Sequence, residues 1–521
     1  MSKTNEMAPV DNTDAETNTN SLPEKTEASH DIGNKSKASK LLNQILSGGD
    51  IVLFKDQHNT PFAHISVGTK SVNLPINSNE FSGHLRHKLY MQSKEIVSDA
   101  QIREIAGTLA TKATYEGLQH DLYHRVAHKN GSFYYNLQND LGEVVEMTGD
   151  GWTIVSSKSV PYLFKEGCGK PQVTPERGGD LRDFLNLINI KNPDEQMLFI
   201  STLPVRLIQD IDQAITYIFG PAGSAKTTLL RMVKDLIDPA SGGVSLPVRK
   251  VDSLLTLLNQ TWLFANDNLS KIDNELSDVL CMVATGGEDA RRTLYTDTAL
   301  TVLKIKNPTY ITGVNVEATK SDLMSRIMLF KTETVPANDV RSGSDIASEF
   351  ELIKPKLLGA LFDTLVSAIK IKDQLPQRSS FRMNDFALWG AACAEVLGYG
   401  ATAFEQALER ATKNRAFDAI YSSSAGRALL NYLDRNTDFE GTMTDLLKGL
   451  KDSRTDNDTE WNETVATNPA SLGKKLRELE NSLSAVGVTI DFLQRNGSER
   501  LIRILSASTL KSATDADSET F

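Results

Sequence analysis

Residues 211–230 read IDQAITYIFGPAGSAKTTLL. The apolar run from Ile215 to Phe219 predicts a buried strand. It runs directly into Gly220-Pro221-Ala222-Gly223-Ser224-Ala225-Lys226-Thr227-Thr228, and a helical pattern begins near Thr227. Strand, glycine-bearing turn, Lys-Thr and helix together make the pattern of a phosphate-binding loop. Backbone N–H groups of such a loop converge on anionic oxygens. The free N–H groups at the start of the next helix add to them. The pattern therefore predicts a nucleoside triphosphate, taken as ATP, with Mg²⁺. Lys226 is expected on the β- and γ-phosphates and the Thr227 hydroxyl on the metal.

Ala225 stands where glycine is usual in such loops. A left-handed alanine costs about 1–2 kcal/mol. Gly223 is the alternative carrier of the tight bend.

A second element lies about forty residues after Lys226, at the spacing usual for this pairing. Residues 261–268, TWLFANDN, read as an apolar strand ending in an acid. Asp267 is expected beside the phosphate loop, holding the metal with Thr227. The next residue is Asn268, and an amide cannot take a proton. Either Asp267 or another acid such as Glu288 orients the attacking water, or hydrolysis is slow.

The chain has 521 residues, enough for three or four domains, with 40% apolar residues and a net charge of −11. It is no polycation, so nucleic-acid contacts must come from local patches. Cys168, Cys281 and Cys393 are far apart and form no metal spacing, which suits a reducing cytoplasm. No apolar run approaches membrane-spanning length, and no signal-peptide pattern opens the chain. The expectation is a cytoplasmic protein without membrane contact.

The predicted organisation is α/β. Residues 1–39 and 509–521 are polar and are expected to be disordered tails. Residues 40–179 read as a separate α+β domain, with strands at 51–54, 63–67, 122–126, 132–137, 144–148 and 152–155 and a helix at 101–112. Its role is not legible. His120, His124 and His128 are spaced by four, but 122–126 alternates like a strand and nothing completes a metal site. No paired acids of a polymerising primase are visible. Gly178-Gly179 marks a boundary, and 180–340 is the nucleotide domain, opening with helices at 181–188 and 195–203.

Further residues carry a resemblance. A helical pattern at 276–284 is followed by TGGEDARRTLYTD (285–297), KNPTYITG (306–313) and SDLMSRIMLF (321–330). In order and spacing this series resembles the ATPase core of phage and plasmid primase-helicases, the superfamily 3 type within the AAA+ class. The resemblance covers about 195–335, and more weakly 45–505. It implies that Thr312, or Asn315, takes the polar sensor position. It implies that Arg326 is an arginine finger reaching a neighbour's γ-phosphate. With it comes a homo-oligomeric ring, taken as a hexamer. The resemblance also implies a hairpin over 291–306 that enters the ring channel, with Arg291, Arg292, Lys304 and Lys306 on the phosphates of single-stranded DNA. A plain solvated hairpin is the alternative.

FRMNDFALWG (381–390) and the helices to 435 resemble the segment C-terminal to the ATPase in these proteins, a helical lid or collar at 341–435. Residues 436–508 read as helix, helix and two-stranded hairpin, with the turn Arg495-Asn496-Gly497-Ser498. That is the order of a winged helix. Lys474, Lys475 and Arg477 on the second helix, with Arg495, Arg500 and Arg503 on the wing, could form one face for duplex DNA. Glu478, Glu480, Asp491 and Glu499 dilute that charge, so a protein-contact surface is the alternative.

The sequence thus predicts an ATP-hydrolysing DNA helicase or translocase that replicates a phage, plasmid or other mobile element. A DNA-binding ATPase switch that assembles without unwinding is the second reading.

Overall fold

The computed structural model describes residues 37–506 except 95, 161–162, 168, 245–250, 270–271, 293–299, 315–320, 377–380, 437, 453–464 and 497–498. Residues 1–36 and 509–521 of the expected tails lie outside the described residues, as do Cys168, Asn315 and the apex of the 291–306 hairpin, while residues 37–39 of the first tail are not a disordered tail but open helix Lys37–Ser47, with Ala38 buried.

At the centre is a four-stranded parallel sheet in the order Phe264–Asn266, Thr309–Gly313, Ile215–Phe219, Ile327–Lys331. Ile215, Thr216, Tyr217 and Ile218 are all buried. A continuous apolar run is what a strand covered on both faces requires. Helix Lys226–Ile237 packs its Leu229, Leu230, Val233 and Leu236 into the core, and helix Asn274–Thr285 does the same with Leu280 and Ala284.

Among the described residues, the three largest apolar cores divide the chain at places the composition does not mark. Residues 38–113 have their own core, formed by strands Ile51–Lys55, Pro61–Val67 and Lys70–Pro75 under helices Lys37–Ser47, Asn79–Ser93 and Asp99–Glu116. Strand Lys70–Pro75 and helix Asn79–Ser93 were not legible, because the helix face carries His and Arg among few apolar positions. The antiparallel meander Val126–Lys129, Ser132–Asn136, Glu143–Thr148 and Gly151–Ser156 turns at Asn130 and Gly131, both with positive φ, as a two-residue hairpin demands.

This meander corrects the expectation of a separate domain to residue 179. Its Val126, Phe133, Tyr135, Val145, Met147 and Trp152 share one core with the parallel sheet. Tyr135 and Trp152 pack on Phe362 of helix Gly343–Ile371, at centroid distances of 5.3 and 5.8 Å. The Gly178-Gly179 boundary is no free hinge either. The incoming chain runs tight against that long helix, where a Cβ at Gly359 would lie 1.8 Å from the Glu176 carbonyl oxygen.

Residues 122–125 form no strand beyond an isolated bridge from Tyr123 to Phe164. Among the described residues no cluster of His, Cys, Asp or Glu could hold a metal. The expected helix at 181–188 is a 3-10 helix, Leu181–Leu187, and the next is Pro193–Thr202.

The third core spans Ala416 to Ile504. It lies in helices Met443–Asp452, Pro469–Glu478 and Glu480–Ala485 and in an antiparallel sheet ordered Asp438–Thr442, Glu499–Ser506, Val488–Asn496. The expected boundary at 435 moves upstream. Helix Ala401–Ser422 gives Phe404, Ala407 and Leu408 to the central core, and Ala416 and Ile420 to the last one. The second helix of this unit is Pro469–Glu478, capped at Leu479, and Glu480–Ala485 follows as a separate short helix.

Candidate functional site

The parallel strands deliver the loop and the acid to one edge of the central sheet. Strand Ile215–Phe219 ends at Gly220, whose φ is +151°. A Cβ there would lie 2.2 Å from the Thr332 carbonyl oxygen, so the neighbouring strand end admits only glycine. Ser224 Oγ lies 2.8 Å from both Pro221 O and Thr332 Oγ1, which closes the loop against that strand. Asn189 Nδ2 donates to Ser224 O at 3.3 Å and to Glu333 O at 2.6 Å. Sequence reasoning missed Asn189 and Thr332, because neither lies in a recognisable motif.

Both bend residues are left-handed, Gly223 at φ +78° and Ala225 at φ +65°, ψ +20°. The expectation that Gly223 could spare Ala225 is therefore corrected, and Ala225 carries the strain. No side chain caps helix Lys226–Ile237. Its first N–H groups lack intrahelical partners by construction, and they face the loop as an anion-accepting end.

Lys226 Nζ donates to Gly220 O at 2.7 Å, Pro221 O at 2.6 Å and Ser224 Oγ at 3.2 Å. Burial pushes the Lys226 ammonium below its ordinary range, against the pull of Asp267. Pro221, Ala222 and Gly223 are exposed at the rim, and Thr228 is partly buried behind Thr227.

Asp267 follows strand Phe264–Asn266 directly. Thr227 Oγ1 donates to its carboxylate, 2.9 Å from Oδ2 and 3.1 Å from Oδ1. Thr312, buried at the end of strand Thr309–Gly313, donates to Oδ1 at 2.5 Å. The same hydroxyl accepts the Asn268 N–H at 2.8 Å. Asn268 has φ +56° and is exposed. Asparagine is among the few non-glycine residues that adopt this conformation readily. Its presence after the acid thus has a backbone reason besides the chemical one. The side chain of Glu288 lies outside the described side chains.

One carboxylate and one hydroxyl at contact distance are hard oxygen donors of the kind Mg²⁺ takes. An ammonium and an uncapped helix start beside them suit phosphate oxygens.

Arg326 is placed otherwise than expected of a finger. Its side chain is 8% exposed and ion-paired with Asp322, and Nη1 donates to Asp322 O at 3.0 Å. Arg382 binds the same carboxylate. The guanidinium is held within its own chain.

The expected DNA contacts are dispersed. Strands Gly287–Arg292 and Leu300–Ile305 pair antiparallel, so the hairpin exists, but the side chains of Arg291, Arg292 and Lys304 lie outside the described ones. Lys306 is paired with Asp212 at 3.1 Å. Lys474 is exposed, and Arg477 lies 4.6 Å over the Phe492 ring. Lys475 instead turns inward to Val465 O at 3.1 Å, and Arg503 is paired with Glu440 at 2.9 Å. Two of the six expected cations, Lys475 and Arg503, thus have partners within the unit. The side chains of Arg495 and Arg500 lie outside the described ones.

Comparison with known families gives the class: this is a replication protein of a mobile element. Residues 181–412 match the model of the actinomycete integrative conjugative element replication protein, and residues 425–517 match that of the RepA C-terminal domain of these elements. The two segments are similar to that replication-protein family and together span more than half of the chain. No curated protein matches it. Among solved structures, the apo NrS-1 C-terminal region aligns at 13% identity over 91% of this chain and 100% of that one, with a TM-score of 0.38. A second form of that region aligns at 13% identity over 89% and 98%, with a TM-score of 0.39. Among the described residues no helix is long and apolar enough to cross a membrane.

Proposed function

We propose that this replication protein binds and hydrolyses ATP at the 220–228 loop and uses it to move on DNA, as a helicase or translocase of the AAA+ class. The observation that carries the reading is the contact of Thr227 with Asp267 and of Asp267 with Thr312, at the same sheet edge as Lys226. In this reading Lys226 and the amides of the loop hold the triphosphate. Thr227 and Asp267 hold Mg²⁺, which supplies charge neutralisation at the phosphates when bound. Thr312 fixes the Asp267 carboxylate. The hairpin Gly287–Arg292/Leu300–Ile305 contacts single-stranded DNA inside a homo-oligomeric ring, a hexamer. The 438–506 unit acts as a winged helix on duplex DNA through Lys474 and Arg477.

A second reading is favoured by Asn268 and Arg326. An exposed amide follows the acid, and the candidate finger is paired within its own chain. Both suit an ATP-controlled assembly switch that does not unwind. Strand displacement on a forked duplex distinguishes the two. Unwinding by the intact protein that is lost in Lys226→Ala supports the motor. ATP-dependent assembly on DNA without unwinding supports the switch, and absence of ATP binding refutes both.

A further inference from the structure

The 163–166 segment is pinned between the first sheet and residue Tyr123. Asn73 Nδ2 donates to Phe164 O at 2.7 Å, and the Lys165 N–H donates to Tyr123 O at 2.9 Å. The fixed backbone holds the Lys165 side chain at the seam between the N-terminal core and the central core. There it lines two adjoining cavities, of about 370 and 590 Å³. His124 and Asn259 line both as well.

Lys165 is partly buried, and among the described residues its ammonium makes no hydrogen bond or ion pair. Nearby carboxylates are engaged elsewhere or lie in the open. Asp56 accepts the N–H groups of His58 and Thr60 at 2.9 and 2.8 Å. Asp210 is 2.6 Å from His128 Nδ1, and Asp121 is exposed. Glu80 and Glu166 line the outer cavity and form no ion pair with Lys165. Burial pushes the Lys165 ammonium below its ordinary range, with Asp56 opposing. Burial, and then Lys165, push His124 down to about 3, so the imidazole adds no charge.

A largely desolvated ammonium that has only the more distant charge of Asp56, and no contact partner, is costly unless something supplies one. The cavity also adjoins the base of the hairpin. Lys306 follows strand Leu300–Ile305 directly and lines the 370 Å³ cavity, its own ammonium held by Asp212.

We propose that Lys165 is the anchor of a second anion site, separate from the 220–228 loop, which takes a phosphate group. The source is a DNA strand leaving the hairpin or a free nucleotide. An ammonium in such a seam meets a phosphate as a point charge, and the volume accommodates a nucleotide-sized group.

The test uses the full chain carrying Lys226→Ala, so that the loop does not compete. Pyridoxal 5′-phosphate, an aldehyde bearing a phosphate, is trapped on lysines with borohydride, and the modified peptides are mapped. Lys165 is expected among the labelled residues. Oligothymidylate or ADP is expected to suppress the label, and which of them does so names the source. Added Lys165→Met should weaken the protecting probe about tenfold, the loss of one charge-assisted contact, while Lys165→Arg largely retains it. The melting temperature of each variant reports its folding. Failure to label Lys165 in the folded protein, or labelling that neither probe suppresses, overturns the proposal. Neither outcome bears on ATP use at the loop.

Discussion

Thr312 Oγ1 lies 2.5 Å from Asp267 Oδ1 while accepting the Asn268 N–H at 2.8 Å, so one buried hydroxyl orients both the acid and the residue after it. Its donor and acceptor capacities are both used. Thr312→Val removes them with little change in volume. We expect ATP hydrolysis to fall about 10–100-fold, as for other residues that orient a metal ligand, while nucleotide binding changes far less. Thr312→Ser should restore most of the rate. The measurements are kcat from phosphate release and Kd from a fluorescent ATP analogue. An unchanged kcat in Thr312→Val removes Thr312 from the mechanism.

Ala225→Gly tests the strain in the loop. The left-handed alanine costs about 1–2 kcal/mol, and glycine gives back roughly half of the relief through its freer unfolded chain. We expect net stabilisation of about 0.5–1 kcal/mol, read as a rise in the urea midpoint. A loss of stability would mean that the alanine methyl makes a contact worth more than the strain.

Asp238 is the hub of a buried network that reaches the meander through Arg125. Its Oδ1 accepts from Arg125 Nε and its Oδ2 from Lys234 Nζ, both at 2.8 Å. The Trp262 and Leu263 N–H groups donate to Oδ2 at 2.9 Å. Burial raises its pKa, but Lys234 and Arg125 outweigh that and hold the carboxyl below the usual range. Its contribution is therefore complete above the unfolded-state value, near 4, and is lost as pH falls below it. Asp238→Asn should cost about 3–5 kcal/mol at neutral pH, since it strands two buried cations. It should also flatten the acid side of the melting-temperature profile below about pH 4.

His124 adds a second acid-sensitive step at higher pH. Its pKa is pushed down to about 3 by burial and by Lys165, from an ordinary value near 6.5. The neutral ring belongs to the folded state, so its contribution is present above that ordinary value and is lost as pH falls through it. Melting temperature should drop between about pH 6.5 and 3, and His124→Gln should shrink that drop.

Lys474 and Arg477 are separable from Lys475 and Arg503. The double variant Lys474→Ala/Arg477→Ala should weaken duplex binding and lower the salt slope by about two, one per phosphate contact. Lys475→Ala and Arg503→Ala should instead lower the melting temperature with little change in that slope. Equal slopes across all these variants would argue that the C-terminal unit does not hold DNA.

The loop and the acid were legible because their chemistry imposes both sequence and spacing. Lys226, Thr227 and Asp267 converge in space as that spacing requires. Thr332 and Asn189 were not, because any strand end or turn could supply a hydroxyl or amide there, and only the folded chain selects them. The same limit applies to charge. Lys475 and Arg503 read as surface cations, yet a carbonyl and a glutamate of the same unit take them up. The meander was legible as strands but not as part of the central core. Alternation reports which face is buried, and is silent about what buries it.

Helix Ala401–Ser422 runs without interruption from one core into the next, and Arg415 fastens it to Ile327 O on the edge strand of the central sheet. The C-terminal unit is thus geared to the central sheet through a continuous shaft. Its heading is set by helical phase. One residue inserted between Leu408 and Ala416 would advance that unit by about 1.5 Å and turn it by roughly 100°. Length and phase in this span are therefore as much part of the machinery as the residues at the loop.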